Sequence, residues 1–156
     1  MRRHDREVAG KAALEEILRC CKVCRLGMVE GGVPYIVPLN FGYTWEGERL
    51  TLCFHSAARG RKLDGLRASP DVAFEMDCGH ELVAAAAPCG CTYRYASLMG
   101  LGTPVFCETA GEKTAALNRI MLHQTGRGDY TYPPAMLEQT ALFRLEVTQL
   151  SGKRHA

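Results

Sequence analysis

The chain has 156 residues and a formal net charge of +2, with 47% hydrophobic and 23% charged residues. Length and composition fit one globular domain over residues 1–156, with a single buried core. A balance this close to neutral argues against nucleic acid as a partner and makes any positive site a local feature.

In chain order, Met1-Arg2-Arg3-His4-Asp5-Arg6-Glu7 is charged and has no apolar segment behind it, unlike a secretory signal. No later apolar run approaches the ~20 residues of a membrane span. A cytoplasmic protein without membrane contact is therefore expected. Residues 7–20 read as a helix, with Val8, Ala12, Leu14, Ile17 and Leu18 on one face. Val23 to Val29 reads as a strand, and Gly31-Gly32 as the turn after it. Tyr35 to Tyr43 reads as a second strand interrupted by Pro38, whose missing N–H implies an edge, a bulge or a break. Glu46-Gly47 turns into a third strand, Leu50 to Phe54. A short helix follows from Arg59 to Arg67 and ends before Pro70. Asp71 to Asp77 alternates as a fourth strand, residues 78–90 read as a strand end and a loop, and Thr92 to Cys107 as one long bent strand. Gly100 and Gly102 mark a bulge or a close backbone approach there. Glu112 to Gln124 reads as a helix capped by Gly126, residues 125–135 as a loop, and Leu142 to Leu150 as the last strand. The total is six strands and three helices, joined mostly as hairpins. That favours an antiparallel barrel over a doubly wound sheet. A G-x-G-x-x-G fingerprint is also missing.

Chemistry concentrates at His55-Ser56-Ala57-Ala58-Arg59-Gly60-Arg61-Lys62. A strand-to-helix junction presents free N–H groups and the positive end of a helix dipole. Yet Arg59, Arg61 and Lys62 crowd that point, and no acidic residue precedes Asp64. A bound phosphate would relieve the conflict, and Gly60 would let the backbone approach it. A solvated basic turn is the plainer alternative. Eight cysteines are present, and Cys21/Cys24 with Cys89/Cys91 could in principle hold zinc. The long gap and the C-x-C spacing speak against it, so no metal is expected. His55 is the one side chain expected near a reactive centre. Tyr93, Tyr95, Tyr130 and Tyr132 could line a planar ligand or simply pack. His80 and His123 have no evident partner, Trp45 reads as packing, and Lys153-Arg154 as a solvated tail.

An ordered set of segments resembles the flavin-binding split-barrel family, which includes pyridoxamine 5′-phosphate oxidase. The segments are Met1-Arg2-Arg3 with Asp5-Arg6-Glu7, Pro34-Tyr35-Ile36-Val37-Pro38-Leu39-Asn40-Phe41-Gly42-Tyr43, Phe54-His55-Ser56-Ala57 with Gly60-Arg61-Lys62, Tyr95-Ala96-Ser97-Leu98-Met99-Gly100, and Lys113, Ala116-Leu117 and Gly152-Lys153-Arg154. The likeness is greatest to the nitroimidazole-resistance branch. It implies a mainly β fold, a six-stranded antiparallel split β-barrel that forms a homodimer with FMN between the subunits. It also implies Arg61 and Lys62 on the FMN phosphate and His55, Ser56 and Ala57 along the flavin. Pro38, Leu39 and Asn40 would offer backbone to the ring, and Ser97 would reach the phosphate or ribityl chain. The true oxidases end in an Arg-Leu-x-Pro segment where this chain has Ser151-Gly152-Lys153-Arg154-His155-Ala156, which argues against pyridoxamine phosphate as substrate. The expected activity is an FMN-dependent oxidoreductase, with a nicotinamide or another donor and a small acceptor such as a nitroaromatic. The alternative is a protein of this fold that holds flavin, haem or a nitro compound without turnover. Deazaflavin and haem branches share the barrel.

Overall fold

The computed structural model describes residues 4–155, so Met1-Arg2-Arg3 of the motif set lies outside it. Two residues, Glu7–Val8, form β1. They are followed by α1 (Lys11–Cys20), β2 (Val23–Glu30), β3 (Val33–Asn40), β4 (Gly42–Glu46), β5 (Arg49–Ala57), α2 (Arg61–Ala68) and β6 (Val72–Val83). The chain continues through β7 (Thr92–Phe106), α3 (Ala110–Thr125), α4 (Pro134–Gln139) and β8 (Thr140–His155).

All pairings are antiparallel, in the order β3-β2-β6-β7-β8-β5-β4, with β1 on the free end of β8. The fold is mainly β with flanking helices, as expected, but two parts of the expectation are corrected. The sheet has eight strands rather than six, and it is not a closed barrel, because its end strands β3 and β4 are not paired with each other. The extra strands come from two places. Glu7 and Val8 pair with Lys153 and Gly152 instead of starting the helix, which begins at Lys11. The stretch read as one strand, Tyr35 to Tyr43, breaks at Phe41 into β3 and β4. The Lys153-Arg154 tail is not loose. It lies in β8, and Arg154 pairs with Glu16 of α1 at 3.2 Å. Residues 134–139, partly read as loop, form α4.

Alternation along the strands sets the core. Cys24, Leu26 and Met28 of β2, Leu50, Leu52 and Phe54 of β5, and Val72, Phe74 and Met76 of β6 face inward and are buried. Ile17 and Leu18 of α1 and Leu63 and Leu66 of α2 join the same cluster. The outward side of β5 and β8 carries a second cluster, in which Cys53 and Leu142 pack under Ala116, Leu117 and Ile120 of α3. Gly42 makes that packing possible, since a Cβ there would run into the carbonyl of Arg119. No helix among the described residues is long and apolar enough to cross a membrane.

Candidate functional site: a fork between two strands

β4 pairs with β5 from Glu46↔Arg49 to Gly42↔Cys53, and there the ladder ends. One residue earlier the chain passes through Phe41, which is fully buried with its ring 6.4 Å from that of Phe54. Beyond Phe41 the strand becomes β3 and pairs with β2 instead. Had the β4–β5 register run on, Asn40 would face His55, Leu39 would face Ser56 and Pro38 would face Ala57. The two strands still touch but exchange no ladder bonds. Proline at position 38 cannot donate to such a ladder, which favours the divergence. The result is a fork pinned at Phe41, with unpaired backbone polar groups along both inner edges. Such groups need a partner, and a ligand can supply it.

The mouth of the fork is closed by the start of α2. Its N-cap, Gly60, has φ 136°, a backbone setting that glycine accepts readily, and no side chain caps the helix. The N–H groups of Arg61 and Lys62 are therefore available, while that of Leu63 donates to the Gly60 carbonyl at 2.9 Å. Lys62 is half-buried and makes no hydrogen bond or ion pair among the described residues. Burial pushes its ammonium below the usual lysine value. His55 reaches solvent on the outward side of β5. Desolvation, and then the nearby Lys62 charge, hold its imidazole below the ordinary 6.5. That coupling places the His55 ring and the Lys62 ammonium in one neighbourhood.

Arg61 is placed differently. Its Nε donates to Glu30 at 2.5 Å, and its guanidinium lies 4.2 Å over the ring of Tyr35. The basic turn is therefore partly neutralised by a carboxylate from the β2–β3 hairpin. The contact joins residues 31 apart, so local sequence gave no signal for either Glu30 or Tyr35.

The structure thus brings together Pro38, Leu39, Asn40, His55, Ser56, Ala57, Gly60, Arg61 and Lys62. The side chain of Asn40 turns away and donates to the Lys22 carbonyl at 3.2 Å, leaving only its backbone to the fork. Ser97 stands apart. It pairs with Asp77 and Lys153, whereas His55 pairs with Leu142, eleven residues back along β8. At ~3.3 Å per residue that is roughly 35 Å of strand. Around Ser97, burial pulls the Asp77 carboxyl up, but Arg25 at 2.7 Å and His80 at 2.8 Å outweigh it and hold the group below its ordinary value.

His80 and His123 both have partners after all. His80 pairs with Asp77, and His123 Nε2 donates to the Cys21 carbonyl at 2.8 Å. Tyr130 and Tyr132 are tied to Asn118, and Tyr93 is exposed on the β6–β7 hairpin, so none of these lines the fork. Cys21 and Cys24 are buried in the main core while Cys89 and Cys91 are exposed. No cluster of His, Cys, Asp and Glu among the described residues is arranged to hold a metal ion.

Comparison with known proteins bears on the family and the fold. No match to a curated protein reaches significance. A candidate 5-nitroimidazole antibiotic resistance protein from Bacteroides thetaiotaomicron is 31% identical with a TM-score of 0.82, over 95% of this chain and 86% of that one. A flavocytochrome from Azotobacter vinelandii has a TM-score of 0.82 at 19% identity, over 100% of this chain and 72% of its own. An FAD and heme binding protein from Mycobacterium smegmatis has 0.79 at 19%, over 96% and 73%. At such identities the last two show a shared fold alone. The profile of the family described as pyridoxamine 5′-phosphate oxidase matches residues 10–154, and with nearly the whole chain covered, the protein belongs to that family.

Proposed function

We propose that the fork binds a phosphorylated flavin, FMN, and that the protein is an FMN-dependent oxidoreductase acting on small acceptors, nitroaromatic compounds among them. The observation that carries this reading is the half-buried Lys62, which has no carboxylate partner among the described residues and is set at an uncapped helix start beside His55 and the two open strand edges. The residues fit the group. A flat ring needs a slot with backbone donors and acceptors, and its phosphate needs cations and free N–H groups. Lys62 would meet the phosphate as a point charge. The Nε of Arg61 is engaged by Glu30, so its two terminal nitrogens remain to turn toward the same anion. His55 stays neutral and offers both a donor and an acceptor beside the ring.

Bound flavin supplies the redox chemistry, and the protein orients it and limits access to it. Electrons would come from a nicotinamide donor. The Bacteroides protein is described by nitroimidazole resistance, which supports a nitro compound as acceptor. A flavin carrier without turnover is the second reading, favoured by one observation: among the described residues no carboxylate pairs with His55.

The cleft would be completed by a second copy. The outward face of β3, β2, β6 and β7 carries a row of small and apolar residues in register, Ile36, Gly27, Ala73 and Leu101. Ile36 is 65% exposed and Met99 41%. Pairing this face about a two-fold axis would bury it and bring Ser97 of one chain toward the fork of the other.

The absorbance spectrum of the purified protein tests the cofactor. Flavin bands with FMN released on denaturation support the proposal. A haem Soret band, or no chromophore together with no uptake of added FMN, overturns it. Anaerobic stopped-flow reduction by NADH or NADPH, followed by reoxidation with a nitroimidazole, separates enzyme from carrier.

A further inference from the structure

A second concave surface lies on the other side of Phe41. It is a cleft of about 590 Å³, whose floor is β4 and whose walls come from the C-terminal ends of α1 and α3. That volume lies within the range of small-molecule sites. β4 is the last strand of the sheet, so one of its edges has no partner strand. On that edge the Phe41 carbonyl accepts from Gln124 and the Trp45 carbonyl from Lys11, which shows that residues 41, 43 and 45 point their backbone groups outward. Tyr43 and Trp45 consequently present N–H groups toward the cleft.

The lining is biased toward positive charge. Arg19, Lys22 and Arg119 all border the cleft, and none forms an ion pair among the described residues. Lys22 is held in place by donating to the His123 carbonyl at 2.7 Å. Glu46 is the single carboxylate in the lining, and nearby Glu15 is engaged by the Tyr43 hydroxyl at 3.2 Å. Beside the charges is an apolar wall of Tyr43, Trp45 and Leu122, the last 46% exposed. The indole N–H of Trp45 is buried and has no acceptor among the described residues. An unsatisfied donor of this kind is uncommon in a native fold and calls for a partner.

We propose that this cleft over the free edge of β4 binds a small organic anion with an apolar body. The acid group would be met by Arg119, Lys22 and the edge N–H groups, and the body would lie against Tyr43, Trp45 and Leu122. The proposal stands independently of flavin binding, since it uses no residue of the fork.

The chain contains one tryptophan, so a single indole N–H signal in a nitrogen-15 correlation spectrum reports on the cleft. The holoprotein would be titrated with benzoate as probe and with benzyl alcohol as its neutral counterpart. Benzoate is expected to move the indole signal saturably, and benzyl alcohol to leave it in place at equal concentration. Arg119→Ala and Lys22→Ala should each weaken benzoate by about tenfold or more, the scale for one charged contact, while thermal melts confirm that each variant is folded. Arg94→Ala, which removes a cation paired with Glu81 on the β6–β7 hairpin, should leave the titration unchanged. No saturable shift, an equal response to benzyl alcohol, an unaltered affinity in both cleft variants, or loss of the response in Arg94→Ala would overturn the assignment.

Discussion

Arg61 and Lys62 are neighbours in sequence but not in circumstance. Arg61 is exposed, stacked on Tyr35 and bonded to Glu30, whereas Lys62 is half-buried with no hydrogen-bond or ion-pair partner among the described residues. If both serve the flavin phosphate, Lys62 carries more of the load. Lys62→Ala is expected to weaken FMN binding by about 1–3 kcal/mol, the scale of one charged hydrogen bond. Arg61→Ala should cost less, because Glu30 already satisfies part of that charge. Riboflavin should bind the wild type much more weakly than FMN and be indifferent to both changes. Isothermal titration of the apoprotein measures all of these affinities, and equal wild-type affinity for FMN and riboflavin would remove the phosphate site. His55 provides a pH test. Its imidazole and that of His123 are both held below 6.5, each first by desolvation. As pH falls through about 6.5, the unfolded chain takes up these protons before the folded chain does. Stability should therefore fall until pH passes below the folded values, and then level off. An NMR titration of His55 should show a midpoint below 6.5 that rises in Lys62→Ala, because a like charge has been removed.

The elements differ in how visible they were in the sequence. Alternation located the cores of most strands, and Gly126 marked the end of α3, where it takes the C-cap position. Thr109 and Glu112 form a reciprocal capping box at its start. Thr109→Ala should cost about 1 kcal/mol, read as a lower thermal midpoint. Gly42→Ala should be worse, because its methyl would meet the Arg119 carbonyl and force α3 off the sheet. Overpacking of this kind costs about 1–3 kcal/mol. A variant at position 42 that melts no lower than the wild type would show that α3 moves freely. The fork itself was not legible. Periodicity sees which residues are apolar but not which neighbour a strand chooses. Tyr35 to Tyr43 is β-prone throughout, and the change of partner at Phe41 depends on β2 and β5 competing for its two halves. Glu7 and Val8 were drawn into the first helix by the same limit, since their partner Gly152 lies at the far end of the chain.

For the whole molecule, the family and its mainly β fold were readable because an ordered motif set spans nearly the whole chain, whereas the turn at His55–Lys62 displayed a local charge conflict and no more. The proposed shared cleft makes assembly testable. Ser97 is remote from His55 within the subunit, yet the apolar row from Ile36 to Leu101 lies on the outward face. Sedimentation of the holoprotein at micromolar concentration should give about twice the 17.2 kDa chain mass. Ile36→Asp should shift it toward monomer and lower flavin affinity together, as linked equilibria require. A monomer that keeps its flavin would exclude the shared cleft, and Ser97 with it.

The sheet order also bears on how the chain is made. β8 leaves the ribosome after the other seven strands described, yet it lies between β7 and β5 and also carries β1. Until it emerges, β5 and β7 have no common neighbour and each presents an open edge, the form in which strands pair wrongly with other chains. The nascent protein can complete its early hairpins but cannot complete its sheet. Folding is thus delayed until β8 has been made. A chain stopped after Gln139 should remain protease-sensitive and prone to aggregate, although most of its core residues are already present.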